Sequence, residues 1–329
     1  MIMREPNVLL SVVVPTTNRP DTLIATLKGI EEQSFRDYEV IIVNNGTKPE
    51  LVEQYQRIEE QYDDRFIFLN FHNELAQGFG PAIARNIGIQ KASGSYIAFC
   101  DDDDKWIETE YLASIKNVIE LYQPDIVLSD QQGINQNGSS EDIVRPKWFE
   151  NITSEKYSIN QNGFYKLIDF KYFENYPEFP HLNISVYKKS LLDSVGGFSR
   201  ELWYEEDFEL FIKCALQSDT IYYNNVLAAA HYIPNKLLNK NITSNVTNIH
   251  KHVNRFNIAN KLVAQAAGSK VESFVNKLLT NSAKHLSSFH YEHKSYKQAL
   301  AFNKFNLSIS FSIKWWLWSV YLSLLAITK

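Results

Sequence analysis

Four consecutive aspartates, Asp101 to Asp104, are the residues of this chain best suited to chemistry. They follow an apolar run over residues 95–100 whose length and composition are typical of a buried parallel strand. Open α/β sheets bind their ligands at the carboxyl ends of such strands. Because adjacent carboxylates repel one another, the cluster predicts a divalent cation that bridges to substrate phosphates. The alternative is a solvated acidic turn that caps the next helix.

A second acidic cluster, Glu205, Glu206 and Asp207, stands at the start of an apolar helical pattern that runs to Cys214. Carboxylates at a helix N-terminus are stabilised by the helix dipole and by the free backbone N–H groups. The cluster is therefore either part of a site or only a helix cap.

Strands and helices are predicted to alternate over the first 130 residues. The predicted strands are residues 8–14, 38–43, 66–69, 95–100 and 125–129, and the predicted helices are residues 20–30, 49–62, 81–92 and 107–122. This alternation is typical of a doubly wound parallel sheet. Right-handed crossovers then place every strand's carboxyl end on one side, together with the polar residues that follow the strands.

The next segment, residues 130–180, is rich in Phe, Tyr and Asn without a clean period, and it is predicted to form loops and short elements. A strand over residues 182–187 and a short helix over residues 188–195 are predicted beyond it.

The composition limits the classes of protein that fit. A chain of 329 residues with 44% hydrophobic content can bury a large core, and a net charge of −5 gives no support for a nucleic-acid partner. Two cysteines, Cys100 and Cys214, lie in apolar segments and are expected to be core thiols in a reducing compartment. The first residues lack the architecture of a secretory signal, so a cytoplasmic location is expected.

Six short blocks, in order along the chain, together resemble the inverting glycosyltransferases of family 2, which have the GT-A fold. The blocks are residues 11–16, 38–47, 84–89, 94–103, 195–198 and 206–207. Each block alone is too short to be specific for the family. The six blocks in this order and at this spacing are specific. The resemblance implies a GT-A-like, doubly wound, mostly parallel sheet over residues 1–235, and residues 236–329 then form a small helical C-terminal domain.

The resemblance also implies roles for individual residues. Asp101 and Asp103 match the D-x-D motif, whose later aspartate binds Mg²⁺ or Mn²⁺ and whose earlier one lies near the ribose. His231 lies where many relatives have a histidine that reaches the metal or the diphosphate, the alternative being a structural histidine. Asp207 matches the general base of the E-D motif, with Glu206 beside it. The implied nucleotide-sugar contacts are Pro15, Thr16, Asn18, Asn45, Arg85, Asp101 and Asp102.

The implied reaction moves a sugar from a nucleotide-diphosphate donor, expected to be a UDP-sugar, to a hydroxyl of a saccharide or a polyprenyl-linked glycan. Similar enzymes serve bacterial surface polysaccharide synthesis. A divalent ion neutralises the leaving diphosphate, and a carboxylate on the opposite side of the anomeric carbon takes the proton of the acceptor. One such displacement inverts the anomeric centre.

One block departs from the family pattern. Similar proteins have Asp-Asp-Gly-Ser after the second strand, where this chain has Asn-Asn-Gly-Thr at residues 44–47. The family aspartate accepts the uracil N–H. An Asn amide could accept that proton through its carbonyl or could donate its NH₂ to a different base, so the block leaves the donor base open.

Other classes of protein fit less well. A dinucleotide-dependent oxidoreductase would need a glycine-rich turn after the first strand, where this chain has Pro-Thr-Thr-Asn at residues 15–18. No stretch matches the phosphate-binding loop of ATPases, and no glycine-rich, Arg-containing first loop indicates a nucleotidyltransferase. A non-catalytic nucleotide-sugar or glycan-binding module on the same fold stays open, because a fold does not determine function.

The end of the chain reads as a helical unit. Apolar residues recur at helical spacing from Val271 to Leu279 and again from Tyr296 to Phe302, and the domain boundary is expected within residues 235–245. The uncharged run over residues 315–328 contains three of the six tryptophans. As a helix it is about 21 Å long, too short for a bilayer core of about 30 Å. It predicts an in-plane anchor on the cytoplasmic membrane face; the alternative is packing against the catalytic domain or a second subunit in a homo-oligomer.

Overall fold

The structure, a computed structural model, describes residues 8–71, 78–137, 140–160, 164–176, 179–233 and 246–328. The described residues divide into two compact units. One contains the residues up to Tyr172 and those from Tyr176 to Ile233, and the other contains Phe173–Asn175 and the residues from Val246 onward. The expected domain boundary at residues 235–245 lies outside the described residues.

Eleven strands of the described residues form one mixed, mostly parallel sheet. They are β1 Leu10–Thr16, β2 Tyr38–Asn45, β3 Phe66–Phe71, β4 Tyr96–Phe99, β5 Lys105–Trp106, β6 Ile126–Asn137, β7 Ser140–Arg145, β8 Ser158–Asn160, β9 Tyr165–Ile168, β10 Ser185–Lys188 and β11 Ile221–Ile233. The order across the sheet is β3-β2-β1-β4-β10-β6-β11-β9-β8, with β5 paired to β11 and β7 to β6. The predicted GT-A-like sheet is confirmed.

The strand directions determine where the polar residues meet. Strands β3, β2, β1 and β4 are mutually parallel, and β10 runs antiparallel to both β4 and β6. Strand β6 therefore points the same way as β4, and β11 is parallel to β6. The carboxyl ends of β1, β2, β4, β6 and β11 lie at one edge as a result, and this is the edge where open α/β sheets bind ligands.

Helices connect the strands of the sheet and continue beyond them. In the first unit and its border they are α1 Pro20–Glu31, α2 Val52–Glu59, α3 Pro81–Lys91, α4 Tyr111–Tyr122, α5 Lys171–Asn175, α6 Lys189–Val195 and α7 Glu206–Gln217. Each of the helices predicted between residues 20 and 122 is present. The predicted strand over residues 182–187 is shorter, because residues Leu182–Ile184 form a 3₁₀ turn and β10 begins only at Ser185.

Helix α3 lies against β1 at a position that has no room for a side chain. A Cβ on Gly88 would stand 2.3 Å from the nearer γ-methyl of Val13, which is itself fully buried. Glycine therefore lets α3 approach the sheet closely enough to bring Arg85, one turn earlier, to the carboxyl edge.

The second unit is helical. It contains α8 Asn248–Ala266, α9 Glu272–Glu292, α10 Tyr296–Ile309 and α11 Ile313–Thr328. Helix α8 is capped by the Thr247 hydroxyl, which accepts the backbone N–H of His250 at 3.4 Å. Helix α11 is attached to α10 through Asn303, whose amide donates to the Trp315 carbonyl at 2.8 Å and to the Ser319 hydroxyl at 2.6 Å. The predicted C-terminal helical region is present.

Substituting Gly88 tests the close contact between α3 and β1. Helix propensity alone would make Gly88→Ala stabilising by up to about 1 kcal/mol. The clash with Val13 reverses the sign, and we expect the free energy of unfolding to fall by about 1–3 kcal/mol. Gln90→Ala, on the exposed face of the same helix, is the control and should change stability by less than about 0.5 kcal/mol. Denaturant titration measures both, and a Gly88→Ala protein as stable as the wild type would contradict the packing.

Candidate active site

The four aspartates follow β4 directly and turn back across the carboxyl edge of the sheet. The turn is held by Asn183, which is fully buried just before β10. Its side-chain Oδ1 accepts the backbone N–H of Asp101 at 2.9 Å, and its side-chain NH₂ donates to the Asp104 carboxylate. Its backbone carbonyl accepts the Trp106 indole N–H at 2.9 Å. One side chain thus fixes both ends of the acidic turn.

Arg85 joins the two acidic clusters that the sequence singles out. Its guanidinium donates from Nη2 to Asp101 Oδ1 at 2.6 Å and from Nη1 to Glu206 Oε1 at 2.7 Å. The guanidinium lies 5.5 Å from the centre of the Phe198 ring, and the side chain is almost completely buried. Burial by itself would raise the pKa of Asp101, but the charge and hydrogen bond of Arg85, together with the nearby His181 and Arg19, outweigh it and the pKa is lowered.

Arg19, immediately before α1, neutralises the middle of the acidic turn. It forms an ion pair with Asp102 and donates from Nη1 to Asp103 Oδ2 at 2.5 Å. Asp102 is fully buried, and burial raises its pKa to about 7 despite the opposing charge of Arg19. Burial likewise raises the pKa of Asp103, although about one third of that side chain is exposed.

Asp104 and two histidines converge beside this turn. The Nδ1 of His231, on β11, lies 2.9 Å from one Asp104 carboxylate oxygen and 3.1 Å from the other, and the Tyr232 backbone N–H donates to the same carboxylate at 2.9 Å. One potential ligand atom each of Asp104, His181 and His231 lies within 4.8 Å of the other two. The arrangement fits a divalent cation.

The two imidazoles have opposite protonation preferences. Burial and the neighbouring His231 lower the pKa of His181 to about 4, so its ring is neutral. Burial would lower the pKa of His231 too, but Asp104 raises it. The ring centroids are 4.4 Å apart, and the Trp148 indole lies against both rings, 5.4 Å from His181 and 5.8 Å from His231.

The candidate general base lies at the first turn of α7. Asp207 is half-buried and its Oδ1 accepts the backbone N–H of Phe208 at 2.8 Å. Burial, reinforced by the negative charge of Glu206, raises the pKa of Asp207 to about 7. The preceding residue, Glu205, has a positive φ of 59°, which turns the chain sharply into the helix.

Several residues predicted to hold the nucleotide lie at the ends of β1 and β2. Pro15 is buried and is the next-to-last residue of β1. The Thr16 hydroxyl is 3.0 Å from that of Tyr55, and Asn18 Oδ1 accepts the Lys48 N–H at 2.7 Å. The Asn45 amide is occupied by backbone groups, because it accepts the Phe79 N–H at 3.0 Å and donates to the Gly80 carbonyl at 3.1 Å.

The structure brings most of the predicted residues to one edge, and it adds others. Asp103 lies outside the group formed by Asp104, His181 and His231, whereas His231 belongs to it. The additional residues at this edge, which the sequence did not single out, are Arg19, His181, Asn183, Trp148 and Trp203, and Asp104 was singled out only as a member of the acidic run. The run of four aspartates contained a signal for Asp104, but no spacing linked it to histidines 77 and 127 residues later.

Residues 11–195 match the model of glycosyl transferase family 2. This stretch is more than half of the chain, so the chain belongs to that family. The resemblance in the six blocks is confirmed.

Known proteins resemble this chain in sequence or in fold. The chain is 34% identical to a Campylobacter jejuni GalNAc(5)-diNAcBac-PP-undecaprenol β-1,3-glucosyltransferase over 29% of its length and 30% of that protein. Its fold matches residues 1–349 of Staphylococcus aureus TarS in complex with UDP-GlcNAc with a TM-score of 0.63, at 18% identity, over 92% of this chain and 81% of that one. It also matches the mannosyltransferase PcManGT of Pyrobaculum calidifontis in complex with GDP-Man and Mn²⁺ with a TM-score of 0.51, at 16% identity, over 98% and 86%.

The matches to curated sequences are partial. Three bacterial glycosyltransferases that match at 30–34% identity are covered by this chain over only 17–37% of their length. The family match over residues 11–195 lies, apart from Phe173–Asn175, in the first of the two units, which we call the catalytic unit.

Removing the Arg85 charge tests its bridging role. Arg85→Gln leaves Asp101 and Glu206 as buried carboxylates without their cation, and we expect the free energy of unfolding at neutral pH to fall by about 3–5 kcal/mol. The loss should shrink as the pH falls, because carboxylates left without a cation have raised pKa values in the folded state and become neutral.

Arg57→Gln is the matched control for this prediction. Arg57 pairs with Glu53 on the surface of α2, where a lost ion pair costs about 0–1 kcal/mol. Denaturant titrations of both variants across pH 5–8 provide the comparison, and equal effects of the two substitutions would rule out the bridge.

Proposed function

We propose that the protein is an inverting, metal-dependent glycosyltransferase that moves a sugar from a nucleotide-diphosphate donor to an acceptor hydroxyl. The observation that carries this proposal is the double ion pair of Arg85. It holds the acidic turn after β4 and the first turn of α7 on two sides of one buried guanidinium. A cation-binding carboxylate cluster and a candidate base are thereby held at a fixed separation, as a single displacement requires.

The residues of the chain have distinct tasks in this reaction. Asp207 takes the proton of the acceptor hydroxyl, and a pKa of about 7 lets it be ionised, yet still basic, near neutral pH. Glu206 is bonded to Arg85, which leaves Asp207 as the carboxylate of that pair to face the acceptor. Pro15, Thr16, Asn18, Asn45, Arg85, Asp101 and Asp102 line the donor side in this proposal.

A divalent cation, when bound, supplies charge neutralisation for the departing diphosphate. We consider two ligand sets that share His231. One pairs it with Asp103, as the D-x-D motif implies, and the other combines it with Asp104 and His181, whose ligand atoms lie within 4.8 Å of one another. In the first set, Asp104 would accept a hydrogen bond from His231 Nδ1 and leave Nε2 free for the ion, a frequent role for a carboxylate beside a ligating histidine. Imidazole ligands favour Mn²⁺ over Mg²⁺ in either set.

The donor and acceptor classes follow from the relatives and the site. TarS residues 1–349 are known with UDP-GlcNAc, which supports a UDP-sugar, whereas PcManGT is known with GDP-Man. The name of the Campylobacter jejuni relative describes a polyprenyl-diphosphate-linked glycan, and we propose a saccharide or such a lipid-linked glycan as acceptor. The exposed Trp203, whose ring lies beside Gly80 just before α3, is proposed to contact a sugar ring of the acceptor.

Screening nucleotide-sugars for hydrolysis and transfer tests the function, and Asp207 provides the mechanistic variant. Asp207→Asn should lower the transfer rate by about 10²- to 10⁴-fold and leave donor affinity nearly unchanged. In the wild type, kcat/KM should rise with pH up to about 7 and then level off, because the base must be deprotonated.

Asp193→Asn, an exposed aspartate on α6, is the matched control and should keep full activity. If Glu206→Gln or Glu205→Gln abolishes transfer while Asp207→Asn does not, the base is assigned to the wrong carboxylate. Donor binding without hydrolysis or transfer across the whole panel would instead indicate a non-catalytic binding module.

Metal binding separates the two ligand sets. Titration calorimetry with Mn²⁺ should show binding to the wild type that is weakened at least about tenfold in His231→Ala, since loss of a ligand or its partner typically costs 10- to 100-fold. Asp103→Asn should abolish Mn²⁺-dependent turnover if Asp103 is a ligand, and His181→Ala should do so only if the Asp104 set holds the ion.

Asp63→Asn, which changes a surface carboxylate paired with Arg65, serves as the control for these metal-site variants. Full activity of the wild type in excess EDTA, or equal Mn²⁺ affinity of the wild type and His231→Ala, would contradict metal dependence.

A further inference from the structure

Helix α11 has two apolar faces, and the second unit covers only one of them. Toward the unit lie Trp315, Trp318, Ser319 and Leu322, of which Leu322 is fully buried. The Trp318 indole N–H donates to the Ser287 hydroxyl at 3.4 Å, and its ring lies 4.8 Å from that of Tyr291 on α9. These contacts determine which way the helix faces.

The opposite side of α11 is an exposed apolar stripe. Its members recur every three or four residues along the whole helix, and they are Ile313, Trp316, Leu317, Val320, Leu324 and Ile327. Trp316, Leu317 and Leu324 are 50%, 56% and 62% exposed, and Phe311 just before the helix is 71% exposed. A continuous apolar face of this size on a folded protein marks an interaction surface.

The charge of the same unit indicates what kind of partner binds the stripe. Residues 236–329 contain thirteen Lys and Arg and two Glu, a net charge of +11, in a chain whose overall net charge is −5. The first 235 residues consequently carry −16. Lys314 lies on α11, and Lys284 Nζ lies 5.8 Å from the centre of the Trp315 ring, so positive charge adjoins the helix directly. The positive sign is confined to the unit that presents the stripe.

We propose that the stripe of α11 is a membrane-contact surface that lies in the plane of an anionic leaflet. Apolar side chains on one side of a helix, tryptophan among them, and a surrounding excess of Lys are the features of an interfacial helix. A second copy of the chain fits less well, because it would bring two units of +11 together. No helix among the residues that the structure describes is long and apolar enough to cross a bilayer, and α11 accordingly lies on the surface instead of spanning it.

The membrane-contact surface bears on the proposed function because it favours a lipid-linked acceptor. Only this choice of acceptor rests on the proposed function. An enzyme held at the headgroup level meets a polyprenyl-linked glycan by diffusion in two dimensions. The residues proposed for donor hydrolysis all lie in the first unit, and α11 belongs to the second. A lack of donor hydrolysis in solution would therefore refute the proposed transfer, whereas the membrane surface is tested separately by vesicle binding.

Vesicle flotation with the full chain tests the surface. The wild type should float with vesicles of phosphatidylcholine and phosphatidylglycerol. It should remain in the bottom fraction with vesicles of phosphatidylcholine alone or at high salt. The double variant Leu317→Gln with Leu324→Gln keeps the charge but removes two of the most exposed apolar groups. We expect its bound fraction to fall at least about tenfold.

Leu121→Gln is the matched control, because Leu121 is 61% exposed on α4 of the catalytic unit. It should float like the wild type. Equal flotation of the stripe variant and the wild type, or no flotation of the wild type on anionic vesicles, overturns the proposal. If the wild type does not float, and sedimentation shows that it is a dimer whereas the stripe variant is a monomer, the stripe is a self-association surface instead.

Tryptophan quenching gives a second measurement that does not depend on the double variant. Lipids brominated near the headgroup end of the acyl chain should quench part of the wild-type fluorescence, and Trp316→Phe should lose most of that quenching because the other two tryptophans of α11 face the unit. Quenching that is unchanged in Trp316→Phe would overturn the proposed orientation.

Discussion

The arrangement of the catalytic unit depends on one buried positive charge. Arg85 is held between Asp101 and Glu206 with almost no contact with water, and a cation in that position is stable only while both carboxylates remain paired with it. The turn after β4 and the helix α7, which carry these carboxylates, are more than 100 residues apart in sequence. The ion pairs therefore do more than neutralise charge, because they fix the distance between the two acidic clusters of the site. The close packing of α3 on β1 at Gly88 is what lets Arg85 reach them.

Asn183 has the corresponding role on the other side of the acidic turn. Four adjacent carboxylates would repel one another in an unsupported loop, and the structure gives each of them a compensating partner. Arg85 and Arg19 take the first three, while Asn183, His231 and the Tyr232 backbone N–H hold the fourth. Each aspartate of the run consequently has a different environment, and the pKa values diverge, lowered for Asp101 and raised to about 7 for Asp102.

The parallel part of the sheet could be predicted from sequence because its strands are short apolar runs followed by polar turns. That pattern located Thr16, Asn45 and Asp101 at a shared edge, and the structure places them there. Strand β11 gave no such pattern, since Asn224 and Asn225 interrupt it and its pairing with β6 shifts register between Tyr223 and Leu227. His231 lies beyond that irregularity, so the strand that positions it was not predicted, although the resemblance pointed to the residue. His181 and Asn183 were missed because their partners are about 80 residues earlier, and no local spacing encodes a contact of that kind.

The hydrogen bonds of Asn45 have a consequence for the helix that follows them. The side chain is bonded to the backbone at Phe79 and Gly80. Gly80 is the residue immediately before α3, and Arg85 follows on that helix. A substitution at residue 45 that removed these bonds would therefore also weaken the support of the helix that carries the central arginine. One short amide side chain at the end of β2 thus acts as a fastener for a helix that begins 36 residues later in the chain.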